Sequence, residues 1–141
     1  MKKLRLLIVS HPGTWQRVLQ TNIEAYPFVK VVEVVSGSLS ASQLVSQHQI
    51  DLVLIDSSII FDDAIALVQN VKLENPKTRS IVITDTTQQR RRVIRSGADY
   101  TISSYNFEAQ IGEILNQLKG TLSEVVEGSE TTLKVDSNIP N

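Results

Sequence analysis

The residue best placed to do chemistry is a carboxylate. Residues 50–55 are a nearly unbroken apolar run, Ile-Asp-Leu-Val-Leu-Ile, and Asp56 follows directly. Apolar residues without polar alternation predict a strand covered on both faces, as in a parallel α/β sheet. In such sheets the working site lies just beyond the carboxyl ends of the strands. Asp56 is therefore expected where chemistry or regulation takes place. Asp62 and Asp63 are candidate metal ligands, although adjacent acidic residues at a helix start more often serve as caps and dipole partners. Asp85 follows Thr84 near the same edge and is a candidate second oxygen donor. Arg90, Arg91 and Arg92, with Arg95, form the sharpest charge feature. Arg91 and Arg95 are spaced i, i+4 and share a helix face. Such a face is either solvated or offers guanidinium groups to an acidic partner surface or to phosphates.

Other chemistries are excluded or left without support. The chain has no cysteine, so disulfides, thiol catalysis and cysteine metal sites are ruled out. No P-loop, GxGxxG motif or Ser/His/acid ordering is present, and Ser10-His11-Pro12-Gly13 is not a nucleophile site. Net charge is −1, so no global field draws the chain to nucleic acid or membrane, and four arginines in a neutral chain do not change that expectation. The apolar run after Met1-Lys2-Lys3 is short and interrupted by Arg5, too brief for a signal peptide or a membrane span. A cytoplasmic location is expected. With 141 residues, 41% of them apolar, the chain suits one globular domain with its own core.

The elements that must position these groups alternate. Strands are predicted at 4–9, 29–35, 50–55, 80–84 and 100–103. Between them lie helical patterns. Thr14 is expected to cap a helix with Trp15, Val18, Leu19 and Ile23 inward. Trp15 and Tyr26 read as packing residues of that helix. Ser40 and Gln43 resemble a capping box. Asp62 or Asp63 is expected to cap a third helix with Ile65, Val68 and Val71 inside. A polar helix should run from about Gln88 to Ser96, with Gly97 at its C′ position. Asn106 is expected to cap a last helix carrying Phe107, Ile111, Ile114, Leu115 and Leu118, stopped by Gly120. Five βα units imply a parallel sheet between two helix layers, because parallel strands need right-handed helical crossovers. The expectation is a flavodoxin-like (βα)5 three-layer sandwich with strand order 2-1-3-4-5. Residues 1–120 should form the domain. Residues 121–141 read as a flexible polar tail with a possible extra strand at 132–135.

Over residues 4–118 the chain resembles the receiver domain of two-component response regulators. The resemblance rests on the 50–56 strand with its terminal Asp, the 80–84 strand ending in Thr, and Arg95-Ser96-Gly97-Ala98-Asp99. It implies that Asp56 is the phospho-acceptor candidate, since a carboxylate nucleophile can form an acyl phosphate. It also implies Mg²⁺ held by an acidic pair after the first strand, a hydroxyl after the fourth and a Lys after the fifth, which neutralise the transferring group. Here the acidic pair falls on Ser10 and His11, the hydroxyl on Thr84, and the Lys on Ser104, or on Ser103 if the loop is one residue shorter. The switch aromatic of the family sits one position early, as Tyr100. Mg²⁺ demands a nearly complete shell of oxygens, and one carboxylate with Ser10 and a carbonyl is a poor cage. No cofactor is expected, and Mg²⁺ only weakly. His11 reads first as a plain surface loop histidine; the alternative is that beside Asp56 it pairs as an imidazolium and replaces the missing cation, making the site respond to pH.

The expectation is thus a degenerate pseudo-receiver, not an enzyme, standing alone without an output domain and acting through protein–protein interaction. Its partners would be a histidine kinase or a downstream signalling protein. The resemblance places docking, or a homodimer contact, on the face of helix four, strand five and helix five, here Arg90, Arg91, Arg92, Arg95 and Tyr100. One alternative is a single-domain response regulator phosphorylated on Asp56 in a phosphorelay. Another is a flavodoxin-like small-ligand binder, since one fold hosts many functions.

Overall fold

The most apolar runs become the central strands because both faces of each are covered. The computed structural model describes residues 2–131, with side chains described as far as Thr121. Its strands are β1 (Leu4–Val9), β2 (Val29–Val35), β3 (Leu52–Ile55), β4 (Arg79–Thr84) and β5 (Tyr100–Ser103). All neighbouring pairs are parallel and the order is β2-β1-β3-β4-β5, as expected. The helices are α1 (Thr14–Glu24), α2 (Ser38–Gln47), α3 (Phe61–Glu74), α4 (Thr87–Ser96) and α5 (Phe107–Thr131), with a 3₁₀ turn at Ser104–Asn106 before the last.

Strand side chains alternate between two cores. Leu6, Ile8, Leu52, Leu54, Ile81, Ile83 and Ile102 meet Leu19 and Ile23 of α1 and Phe107, Ile111, Ile114, Leu115 and Leu118 of α5. Leu7, Val9, Val53, Ile55 and Val82 meet Ala41 and Val45 of α2, Ala64, Leu67, Val68 and Val71 of α3, and Val93 of α4. Each fully buried Leu or Ile contributes about 1.5–3 kcal/mol relative to exposure. The central strands therefore set the sheet, and their ends set the site.

Several boundaries differ from expectation. Thr14 is the first residue of α1 and not its cap. Gly13 precedes the helix at φ 147°, ψ −172°, a conformation open to glycine, and no side chain caps the turn. Ser40 lies inside α2, because Gly37 starts that helix, so no Ser40–Gln43 capping box forms. Ile60 precedes α3, which leaves Asp62 and Asp63 in its first turn as dipole partners. The expected stop of α4 holds, with Gly97 ending the helix in the left-handed region at φ 111°; its start lies at Thr87, one residue before the expected Gln88, where the Thr86 side chain accepts from the Gln89 amide. The last helix does not stop at Gly120 but continues to Thr131. The possible strand at 132–135 lies outside the described residues. No described helix is long and apolar enough to cross a membrane.

Candidate functional site

The β1–β3 ladder carries Asp56 into the protein interior. Its amide donates to the Val9 carbonyl at 2.9 Å, one step past the end of β3. The side chain is 1% exposed. A carboxylate so buried is costly unless donors meet it. Three do. Trp15 Nε1 donates to Oδ1 at 2.8 Å. The Ser58 amide donates to Oδ2 at 3.2 Å, and Ser10 Oγ lies 3.3 Å from the same oxygen. Ser10 Oγ is also 3.2 Å from the His11 carbonyl, so its single proton is shared between two acceptors. Ser10 is itself fully buried, and Gln16 Nε2 fixes its carbonyl at 2.8 Å. Hydrogen bonds to an ionised acceptor are the stronger kind.

Trp15 is the residue that sequence reasoning missed. Its helical spacing predicts a packing side chain of the first helix, as it does for Tyr26. Tyr26 does pack, edge-on against Phe28 and with its hydroxyl close to Gly112. Trp15 instead points its polar edge at Asp56, 41 positions away in the chain, and sets its ring edge-to-face on Phe107 at 5.9 Å. The one available signal was its place in the second position of the helix that follows the site loop.

The other expected members gather only in part. The His11 imidazole makes no ion pair with Asp56: the side chain is exposed, and it is the His11 amide that is engaged, donating to Ser58 Oγ at 3.1 Å. The alternative imidazolium–carboxylate pair is therefore not formed, and His11 is an exposed loop residue. Ser104 Oγ donates to Asp85 Oδ1 at 2.8 Å, and Ser57 Oγ is 3.5 Å from that oxygen. The strand-end edge thus holds two carboxylates with separate hydroxyl partners, Asp56 with Ser10 and Asp85 with Ser104. Ser103 Oγ accepts from the Tyr105 amide. Thr84 is 4% exposed, and no hydrogen bond joins it to Asp56. Asp62 faces Arg92, 3.6 Å from its guanidinium. Among the described residues no group of three or more His, Asp or Glu side chains could hold a metal ion. The donor set at Asp56, one hydroxyl, an indole and an amide, does not fit Mg²⁺.

The arginine face divides. Arg92 lies over the Phe61 ring at 4.9 Å and belongs to the α3–α4 contact. Arg90 lines a cleft beside Thr84 and Thr101. Arg91 and Arg95 are exposed. Tyr100 packs against the α1–α5 core, while Thr101 faces the cleft beside α4.

No family model matches the chain. The "Probable C4-dicarboxylate response regulator DctR" of Priestia megaterium is 29% identical over 110 residues, covering 76% of this chain and 48% of that protein. The chain thus spans about half the length of the curated relative it matches. The isolated receiver domain of RcsB from Salmonella enterica serovar Typhimurium, solved with the phosphomimetic BeF3−, superposes with a TM-score of 0.74 at 15% identity, over 84% of this chain and 90% of that one. The receiver domain of AraT, a response regulator from Geobacillus stearothermophilus, gives 0.70 at 19% identity over 86% and 96%. The structural likenesses show the fold, and the curated relative with them supports a response-regulator receiver domain.

Proposed function

We propose that this chain is a pseudo-receiver, a signalling module that works by binding other proteins and in which Asp56 is not an efficient phospho-acceptor. The observation that carries this reading is the indole of Trp15, 2.8 Å from the carboxylate oxygen that would otherwise face the site. Phosphoryl transfer needs a free nucleophilic oxygen in line with the donor and cations to neutralise the equatorial oxygens. Asp56 Oδ1 accepts from an indole and Oδ2 accepts from an amide and a hydroxyl. Ser10 and His11 add no carboxylate, and Ser104 adds no ammonium. An aspartyl phosphate would have to displace Trp15 and would find no counter-charge.

A histidine kinase or a downstream signalling protein is the partner class that the receiver likeness suggests. Arg91 and Arg95, exposed on one face of α4, are the groups to meet an acidic surface.

Trp15 is the only tryptophan, so its fluorescence reports on Asp56 directly. Titration with Mg²⁺ and beryllofluoride, which stands in for a phosphoryl group, is expected to leave the emission unchanged. A saturable change in the wild type that disappears in Asp56→Asn would contradict the proposal.

A further inference from the structure

Between the start of α1 and the start of α5 lies a cleft of about 310 Å³. Trp15 and Val18 line it from α1, and Ser104, Tyr105, Phe107 and Glu108 line it from the turn after β5 and the first residues of α5. It is distinct from the acceptor site. None of Ser10, Asp56, Thr84 and Asp85 lines it, and the Ser104 hydroxyl is engaged by Asp85.

Three rings meet in this cleft. The Trp15 ring stands edge-to-face on Phe107 at 5.9 Å and gives its N–H to Asp56, yet the residue stays 37% exposed. Tyr105 is 86% exposed, and its hydroxyl makes no hydrogen bond among the described residues. Single exposed rings are ordinary, whereas rings grouped at one cleft mark a contact site. The charge around them has one sign. Glu108 is the single charged residue of the lining and makes no ion pair among the described residues. Behind Trp15, the buried Asp56 carboxylate is met by donors but by no cation. The faces of the rings carry the negative part of their quadrupoles. The start of α5 opposes this with about half a positive charge, which Glu108 in its first turn more than offsets. A dipole partner is the ordinary role of such a glutamate, and that role leaves the rings and the Asp56 charge unanswered.

We infer that this cleft binds a small organic cation of the quaternary-ammonium class, held against the rings of Trp15 and Tyr105 with Glu108 as its counter-charge. Rings attract a cation that sheds its water easily, and Mg²⁺, which wants oxygens, does not fit this lining. The inference stands whether or not Asp56 accepts a phosphoryl group. It links the cleft to Asp56 through one side chain: a cation against the indole polarises its N–H and strengthens the bond to the carboxylate.

The test is an NMR titration of the full chain with choline chloride. Sodium chloride matches its ionic strength, and the uncharged analogue with carbon in place of nitrogen matches its shape. Choline alone is expected to give saturable shifts at the Trp15 indole N–H and at the amides of Tyr105, Phe107 and Glu108. A ring–cation contact at an exposed site is worth about two- to fivefold in affinity. That loss is expected in Tyr105→Ala, an exposed change that leaves the fold intact. Tyr105→Phe keeps the ring and should keep the affinity. Glu108→Gln should weaken binding by a similar factor. Non-saturating shifts, equal shifts with sodium chloride or with the uncharged analogue, or wild-type affinity in Tyr105→Ala overturn the inference. So do shifts centred on Ser10, Ser58 and Thr84, which would assign the cation to the acceptor site.

Discussion

At Asp56 the contest is between burial, which disfavours a charge, and hydrogen bonding, which offsets it. Donors that reach the carboxylate from Trp15, Ser58 and Ser10 settle the contest without a cation. Trp15→Phe keeps most of the ring but leaves Oδ1 without its donor. The expected loss of stability is about 1–3 kcal/mol, the cost of a buried polar group left unpaired, read from urea unfolding. The same substitution is not expected to create a phospho-acceptor, because Ser10 and His11 still lack carboxylates. Restoring them is a sharper test. Ser10→Asp with His11→Asp sets like charges around a buried carboxylate, so the double variant should melt below the wild type in chelator. Mg²⁺ should then raise its Tm, since a ligand that binds only the native state stabilises it. A wild-type Tm that rose equally with Mg²⁺ would show that the native donor set already holds the ion.

Element boundaries follow local chemistry that outranks some of the sequence signals. Ser40 and Gln43 have capping-box spacing, yet Gly37 lets α2 begin earlier and the pair ends up inside the helix. Thr14 is a good cap by type, but Gly13 takes the cap position and α1 starts at Thr14 itself. Cap spacing is legible in a sequence, whereas the first residue to turn helical depends on the preceding loop. At α4 the glycine signal agrees with the structure, and a cap that was not read from the sequence joins it. Thr86 caps with its hydroxyl and Gly97 closes at φ 111°. Thr86→Ala should cost about 1 kcal/mol as a lost N-cap. Gly97→Ala should cost about 1–2 kcal/mol, because a Cβ is strained in the left-handed region. Thermal unfolding would read both, and a neutral Gly97→Ala would mean that the helix ends differently.

On the scale of the molecule, the sheet was the legible part. Residues 52–55 are apolar at every position because one core lies on each face, and Leu54 with Val53 shows the alternation between them. Leu54→Ala should therefore cost about 2–5 kcal/mol, the range for a cavity in a close-packed core. Asp56, Thr84 and the arginines of α4 were legible by position at strand ends and on the helix. The partner of Asp56 was not. Trp15 shares a helical stripe with Val18, Leu19 and Ile23, and hydropathy does not show that an indole carries a proton donor. Its contact crosses from the start of α1 to the end of β3, which only the folded sheet brings together. The separation of Ser104 from Asp56 was hidden for the same reason, since Asp85 claims its hydroxyl. The central claim is that the fold has kept the acceptor's place and closed it. Intact mass after incubation with acetyl phosphate and Mg²⁺ tests that claim most directly, with Asp56→Ala alongside. The account predicts an unmodified mass in both proteins. A phosphoryl adduct on the wild type that is missing from the variant would contradict it.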